Sequence, residues 1–166
     1  LSVALAVVKE FHYAKSGPKQ ASVCFGLFPK NSFWNVDIKG AAIFMPPPYG
    51  VIVRYKLGPD QVLALSRLAI SPAVPANGAS FVIGASIKAI KKTMKNISLL
   101  VTYADGYQGH KGQIYRATNW TYDGLTKPAY SWVDGDGVLV SKYSTKTRSS
   151  KWMDENYKRI GTFQKH

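Results

Sequence analysis

The sequence predicts a mixed α/β (α+β) fold: a mainly antiparallel sheet with a central parallel pair of strands, flanked by helices. Three observations carry this. Two short apolar runs, Ala21–Phe28 and Asp37–Met45, are separated by turn residues, the pattern of an antiparallel hairpin. A third run, Gln61–Ile70, is followed by a segment of helical period, Ala79–Met94, and then by another apolar run, Ile97–Tyr103. A strand–helix–strand unit this close implies a parallel pair joined by a right-handed crossover.

Taken in order, Leu1–Tyr13 is an apolar stretch running into a short helical turn, broken at Gly17-Pro18. Ala21–Phe28 (ASVCFGLF) is β-branched and aromatic and is bounded by Pro29. Asp37–Met45 (DIKGAAIFM) is the second strand, and Pro46-Pro47-Pro48 stops it, since proline has no N–H to donate. Ser32–Asn35 supply the turn between them. Gln61–Ile70 (QVLALSRLAI) is a buried strand with one charge, Arg67, ended by Ser71-Pro72. The loop Pro72–Gly78 leads into the helix Ala79–Met94, where Phe81, Ile83 or Gly84, Ile87, Ala89 or Ile90, and Met94 share one face. Lys88, Lys91, Lys92 and Lys95 fall on the other. Ile97–Tyr103 (ISLLVTY) has little polar alternation and is expected at the centre of the sheet. Asp105–Gly109 is a turn and Lys111–Asn119 a short helix; Trp120–Asp123 and Ser131–Leu139 begin further strands. Lys142–His166 is polar and basic, with scattered aromatics.

The 166 residues fit one domain, 1–166, with a basic C-terminal segment at about 140–166. An apolar fraction of 46% against 19% charged residues is globular rather than disordered. Lys and Arg number 22 and Asp and Glu 9, a net charge of +13 that sets a positive field over much of the surface. Nucleic acid is the first partner this suggests, because the basic residues are interleaved with aromatics and turns. A basic soluble protein with no nucleic-acid role is the alternative. The single cysteine, Cys24, excludes an internal disulfide and suits a reducing cytoplasm. Leu1–Val8 is apolar but too short to span a membrane, and it lacks the features of a signal peptide, so no membrane partner is expected.

Three constellations carry chemistry. The first is strand, loop and helix from Arg67 to Ser86. A helix N-terminus presents unpaired N–H groups that can hold phosphate. Asn77, Gly78, Ala79 and Ser80 are small enough to admit a pyrophosphate, and Gly84 sits one turn further in. A helix cap built of small residues is the other reading. The second is Tyr103–Gly106, Gly109–Gly112 and Ile114–Trp120. Asp105 follows a strand end, where ligands gather in open α/β sheets. Tyr115 can give a proton to a leaving thiolate; a core tyrosine with a satisfied hydroxyl is the alternative. The third is His12-Tyr13. His12 is a candidate base or metal ligand, open to pairing with a carboxylate such as Asp105, or simply structural. With only His12, His110 and His166 present, a His-rich metal site is excluded.

An arginine on a strand, a pyrophosphate-binding loop and helix, a central strand, and a short helix reading Ile-Tyr-Arg-Ala-x-Asn-Trp together resemble the GNAT acyltransferase superfamily. More narrowly, Phe11–Lys15, Val23–Phe28, Leu65–Leu68 and Tyr103–Trp120 resemble the bacteriophage Mom family, over roughly residues 10–125. The resemblance implies a phage DNA-modification enzyme in the cytoplasm of the bacterial host, converting adenine to an N6-carbamoylmethyl base that protects DNA from restriction. It implies functional residues His12, Tyr13, Asp105 and Tyr115, with Arg67 and Asn77–Ser80 and Gly84 on the cofactor. The implied cofactors are acyl-CoA (acetyl-CoA) and iron, the iron on His12, Asp105 and Tyr115. Double-stranded DNA is the expected partner, with a homodimer left open. Lys146, Arg148, Lys151, Lys158 and Arg159, with Lys142 and Lys165, are the expected backbone contacts, or else a solvated basic face. Trp34, Tyr49, Tyr107 or Trp120 are candidates to stack on an extruded base. A GNAT-type N-acyltransferase acting on another amine is the second hypothesis, and a non-catalytic basic DNA-binding module the third.

Overall fold

The computed structural model describes residues 1–30, 37–127, 129–137, 139–140 and 150–163. The elements are α1 (Ser2–Phe11), β1 (Val23–Leu27), β2 (Gly40–Met45), α2 (Tyr49–Tyr55), β3 (Val62–Ile70), α3 (Gly78–Thr93), β4 (Leu99–Thr102), α4 (Gln113–Arg116), β5 (Ala129–Val133), β6 (Leu139–Val140), α5 (Ser150–Asn156) and β7 (Lys158–Phe163), with a 3-10 turn at Gly106–Gln108. They form two compact units. One comprises Leu1–Tyr103 with Ile114–Thr121, the other Ala104–Gln113 with Tyr122–His166.

The first unit holds a four-stranded sheet in the order β1-β2-β3-β4. β1 and β2 pair antiparallel, as do β2 and β3; β3 and β4 pair parallel over Val62–Leu65 and Leu99–Thr102. The expected hairpin pairing and parallel pair are therefore present, although the turn at Ser32–Asn35 lies outside the described residues. The central place expected for Ile97–Tyr103 is not: β4 is outermost and β3 has a neighbour on each side. All four β4 residues are only half-buried, so its unbroken apolar run reflects partial cover rather than a central position.

Side-chain alternation along β2 builds two cores, one on each face. Ala42 and Phe44 join Leu63, Leu65, Val82, Ile83 and Ile90 under α3. Ala41 and Ile43 join Ala4, Val7, Val8 and Ala69 under α1. The stripe Ala4, Val7, Val8 has helical spacing, and burying each valine is worth about 1.5–3 kcal/mol. That stripe extends α1 back to Ser2, where the sequence suggests only a short turn.

In α3 the lysine face is where the pattern places it, but the buried face is displaced. Val82, Ile83, Ser86 and Ile90 are buried, while Phe81 is 63% exposed and Gly84 is open. Ser86, a polar residue in the middle of the buried stripe, masks the true period. The helix α2 follows directly on the three prolines, with Pro48 at its N-cap and only Val51 buried. Trp120–Asp123 is not a strand; Trp120 packs against the α3-side core instead.

In the second unit the order is β6-β5-β7, with α5 between β6 and β7 in the chain. Trp132, Val133 and Met153 are buried. The run Ser131–Leu139 divides at a turn in which the Gly137 amide donates to the Asp134 carbonyl at 3.1 Å, with Gly137 at φ +78. No helix among the described residues is long and apolar enough to cross a membrane.

Candidate functional site

The first group of residues is assembled by an irregularity in β3. Phe44 pairs with Leu65 and Ile43 with Arg67, so Ser66 is the extra residue of a β-bulge. A bulge re-aims the side chains beyond it. Leu63 and Leu65 face α3 before the bulge, Leu68 and Ile70 face α3 after it, and Ala69 faces α1. Arg67 is thereby turned to the α1 face. Its Nε donates to the Ser16 carbonyl at 2.7 Å, and its Nη1 to the carbonyl of Ser66 itself, also at 2.7 Å. The guanidinium thus satisfies the bulged residue and ties down the loop that leaves α1.

That loop carries His12 and Tyr13. His12 is the C-cap of α1, extended at φ −96 and ψ 136, and its amide donates to the Val8 carbonyl at 3.0 Å. Its Nδ1 accepts the Ala14 amide at 3.0 Å. In the neutral ring the proton must then sit on Nε2, because the tautomer is set by the bond at the other nitrogen. The Tyr13 ring lies 4.3 Å from the imidazole at a tilt of 30°. Beyond them Lys15, at φ +48, turns its Nζ back onto the Glu10 carbonyl at 2.7 Å.

Tyr115 belongs to the other face. It packs against the α3-side core with Trp120, the two rings 5.7 Å apart. Burial pushes its phenol above the ordinary value, offset in part by a hydrogen bond with the Thr102 side chain. The Thr102 hydroxyl donates to the Leu65 carbonyl at 3.3 Å. Leu65–Thr102 is also the last matched pair of the parallel strands, whereas β3 runs on to Ile70. Tyr115 therefore stands where β3 and β4 part company. Trp120 Nε1 is buried there with no hydrogen-bond partner among the described residues. Thr102 is not singled out by the sequence; its only signal is a hydroxyl closing an otherwise apolar run.

At the start of α3, the Gly78 amide donates to the Pro75 carbonyl at 2.8 Å, and a Cβ on Gly78 would lie 2.2 Å from Val74 Cγ1. Its smallness is used by the packing of Val74. Asn77 makes no side-chain cap bond, and Ser80 Oγ donates to its carbonyl at 2.8 Å. The amides of Ala79 and Ser80 are the donors of this first turn that an anion would meet. A Cβ on Gly84 would meet nothing within 4 Å.

Asp105 and His110 lie in the second unit, where the Asp105 carbonyl accepts the Gln108 and His110 amides at 3.1 and 3.2 Å. So His12 and Tyr13 lie together on the loop that Arg67 ties down at Ser16, Tyr115 packs on the opposite face of the sheet, and Asp105 belongs to a separate unit. Of the C-terminal cations, Lys151 and Lys158 are exposed, while Lys142, Lys146, Arg148 and Lys165 lie outside the described residues. Arg159 instead grips Asp154 with Nε and Nη2, and Asp154 also accepts Trp132 Nε1 at 2.8 Å. These bonds, Arg159 first, hold the Asp154 carboxyl below the usual carboxylate range. Tyr49 is exposed and Trp120 is in the core; Trp34 is not described.

The model of the Mom protein family matches residues 1–166, the whole chain. The chain belongs to the Mom family. Membership supports a phage DNA-modification protein, with DNA as its substrate. No curated protein matches the chain.

The iron implied for a Mom protein is poorly served by the residues as they stand. A metal-bound histidine donates its second N–H to an acceptor, whereas His12 Nδ1 is itself an acceptor. A metal at either nitrogen would require that bond to break. Tyr115 is held toward the neutral phenol rather than the phenolate a metal prefers. Among the described residues no group of three or more His, Cys, Asp or Glu side chains converges to hold a metal.

Proposed function

We propose that this Mom-family protein converts adenine in DNA to its N6-carbamoylmethyl form and so protects phage DNA from restriction in the host cytoplasm. The observation that carries the reading is the family match over the entire chain. The net charge of +13 supports a polyanionic substrate. Reaching N6 within a duplex calls for flipping the base or opening the helix.

Tyr115 supports a group-transfer step. Burial keeps its proton in place at neutral pH, so Oη can donate that proton to a leaving thiolate. Trp120 and Thr102 hold the ring at the parting of β3 and β4. Acyl-CoA would supply the transferred carbon unit as a thioester, and the Ala79 and Ser80 amides at the positive end of α3 suit its pyrophosphate. His12, with its proton on Nε2, serves as a hydrogen-bond donor rather than as a base.

Adenine N6 is a poor nucleophile, because its lone pair is delocalised into the ring. Direct acyl transfer would also leave an N6-acyl group rather than a carbamoylmethyl one. A second reading, GNAT-type acyl transfer to another amine (a hypermodified base, an RNA or a protein), is favoured by one observation. A proton-bearing Tyr115 suffices for that chemistry without a redox metal.

Nucleoside mass spectrometry of DNA from cells expressing the protein tests the first reading. A mass-shifted deoxyadenosine is expected. Unmodified deoxyadenosine at good soluble expression refutes it, and thioester turnover with a non-adenine amine then supports the second.

A further inference from the structure

We infer that the outer face of α3 is a track for the DNA backbone, with Phe81 at its end as a contact for an unstacked base. This rests on the DNA-modifying reading above and assigns the surface that would engage the substrate. Lys88, Lys91 and Lys92 fall at i, i+3 and i+4 on a helix that contains no Asp or Glu between Gly78 and Thr93, and Lys95 follows its C-cap, Met94; all four are exposed. Among the described residues none of the four takes part in an ion pair. Such spacing puts the three helical lysines in one stripe about 6 Å long, with Lys95 just past the helix end.

Phe81 continues the outer face two turns before Lys88 and is 63% exposed. An exposed phenylalanine beside uncompensated lysines is costly for a face that only meets water, but suits a strand of phosphates and bases: lysines follow the backbone and a ring stacks on a base. The stripe also has a direction. Gly78, at the head of α3, packs against Ile70 at the end of β3. Phe81 is therefore at the end of the unit to which β3 carries Arg67, and the lysines lead away from it. The open surface at Gly84, between Phe81 and Lys88, leaves the path unobstructed. Of the C-terminal cations, Arg159 serves this purpose less well, because it is held by Asp154.

The test is equilibrium binding of the full chain to an unmodified duplex over a salt series. Lys88→Gln/Lys91→Gln/Lys92→Gln is compared with a control of equal charge, Lys9→Gln/Lys19→Gln/Lys30→Gln. Gln keeps helix propensity, and thermal unfolding of each variant checks folding. Loss of three phosphate contacts lowers the salt slope by about 2.7. Between roughly 50 and 200 mM salt, the affinity lost by wild type should exceed that lost by the α3 variant by roughly 40-fold. Phe81→Ala should weaken binding to a single-stranded adenine tract by about fivefold or more. Equal slopes for the α3 variant and the control overturn the track while leaving the DNA-modifying reading intact. A wild type that binds no DNA overturns both. Binding of polyglutamate, but not DNA, through the same lysines reassigns the face to an acidic protein. An unchanged Phe81→Ala removes the base contact.

Discussion

Replacing Gly78 by alanine places a methyl carbon 2.2 Å from Val74 Cγ1 and 3.4 Å from Val74 Cβ. Val74 is β-branched and half-buried, so it cannot swing clear without moving its own backbone. Overpacking of this kind costs about 1–3 kcal/mol. Against it stands the helix propensity gained on replacing glycine, at most about 1 kcal/mol. The net expectation is a loss of roughly 1–2 kcal/mol, or a drop of roughly 2–8 °C in Tm. Urea unfolding of Gly78→Ala, Val74→Ala and the double variant measures this directly. If Val74 is the sole obstacle, Gly78→Ala costs nothing once Val74 has been truncated. The same set asks whether Gly78 serves a pyrophosphate: a restored double variant that still gains thermal protection from acetyl-CoA assigns Gly78 to packing alone. A Gly78→Ala variant as stable as wild type, or a Gly78→Ala change that is equally damaging in the Val74→Ala background, refutes the reasoning.

Three further outcomes are expected. Because burial raises the Tyr115 phenol above its ordinary value, its contribution is complete below about pH 10 and lost as pH climbs through the folded-state value. The unfolding free energy of wild type should then fall relative to that of Tyr115→Phe above that pH, and parallel profiles would show the phenol to be solvated. His12→Asn keeps an acceptor for the Ala14 amide and should retain stability while losing DNA modification. His12→Ala should lose both, with a stability cost of about 0.5–1.5 kcal/mol in urea unfolding. Arg159→Gln should lower the thermal midpoint without changing the salt slope of DNA binding; a reduced slope would return Arg159 to the DNA surface.

Much of the first unit can be read in the sequence, because its strands are short apolar runs closed by proline or turn residues. Asp37–Met45 ends at Pro46, and Gln61–Ile70 at Ser71-Pro72, close to where β2 and β3 end. Two kinds of feature escape such a reading. The buried face of α3 is displaced from its apparent period because Ser86 is buried and Phe81 is not. Propensity and hydropathy rank those two residues the other way round, and only the sheet beneath the helix decides. The placing of the site escapes for a different reason. His12, Arg67, Asp105 and Tyr115 are far apart in the chain, and the bulge at Ser66 has no local signature. Without it, Arg67 would be expected on the same face as Leu63 and Leu65, toward α3 and Tyr115.

That extra residue makes chain length in β3 as consequential as chain content. On either side of Ser66 the strand obeys opposite parity, so the odd-numbered residues before it and the even-numbered residues after it serve the same layer. Deleting Ser66 would remove the extra residue and restore a regular strand, with Leu65 and Arg67 as neighbours and every downstream side chain still on its own face. Straightening the bulge with Ser66 kept in the ladder would instead turn Arg67 into the apolar layer under α3 and put Leu68 on the face of the Ser16 carbonyl. Deleting Ser66 should therefore be better tolerated than deleting Leu68, which exchanges the faces of Ala69 and Ile70. Related chains that keep this architecture should change or lose the residue at the bulge more readily than they gain or lose one elsewhere in β3.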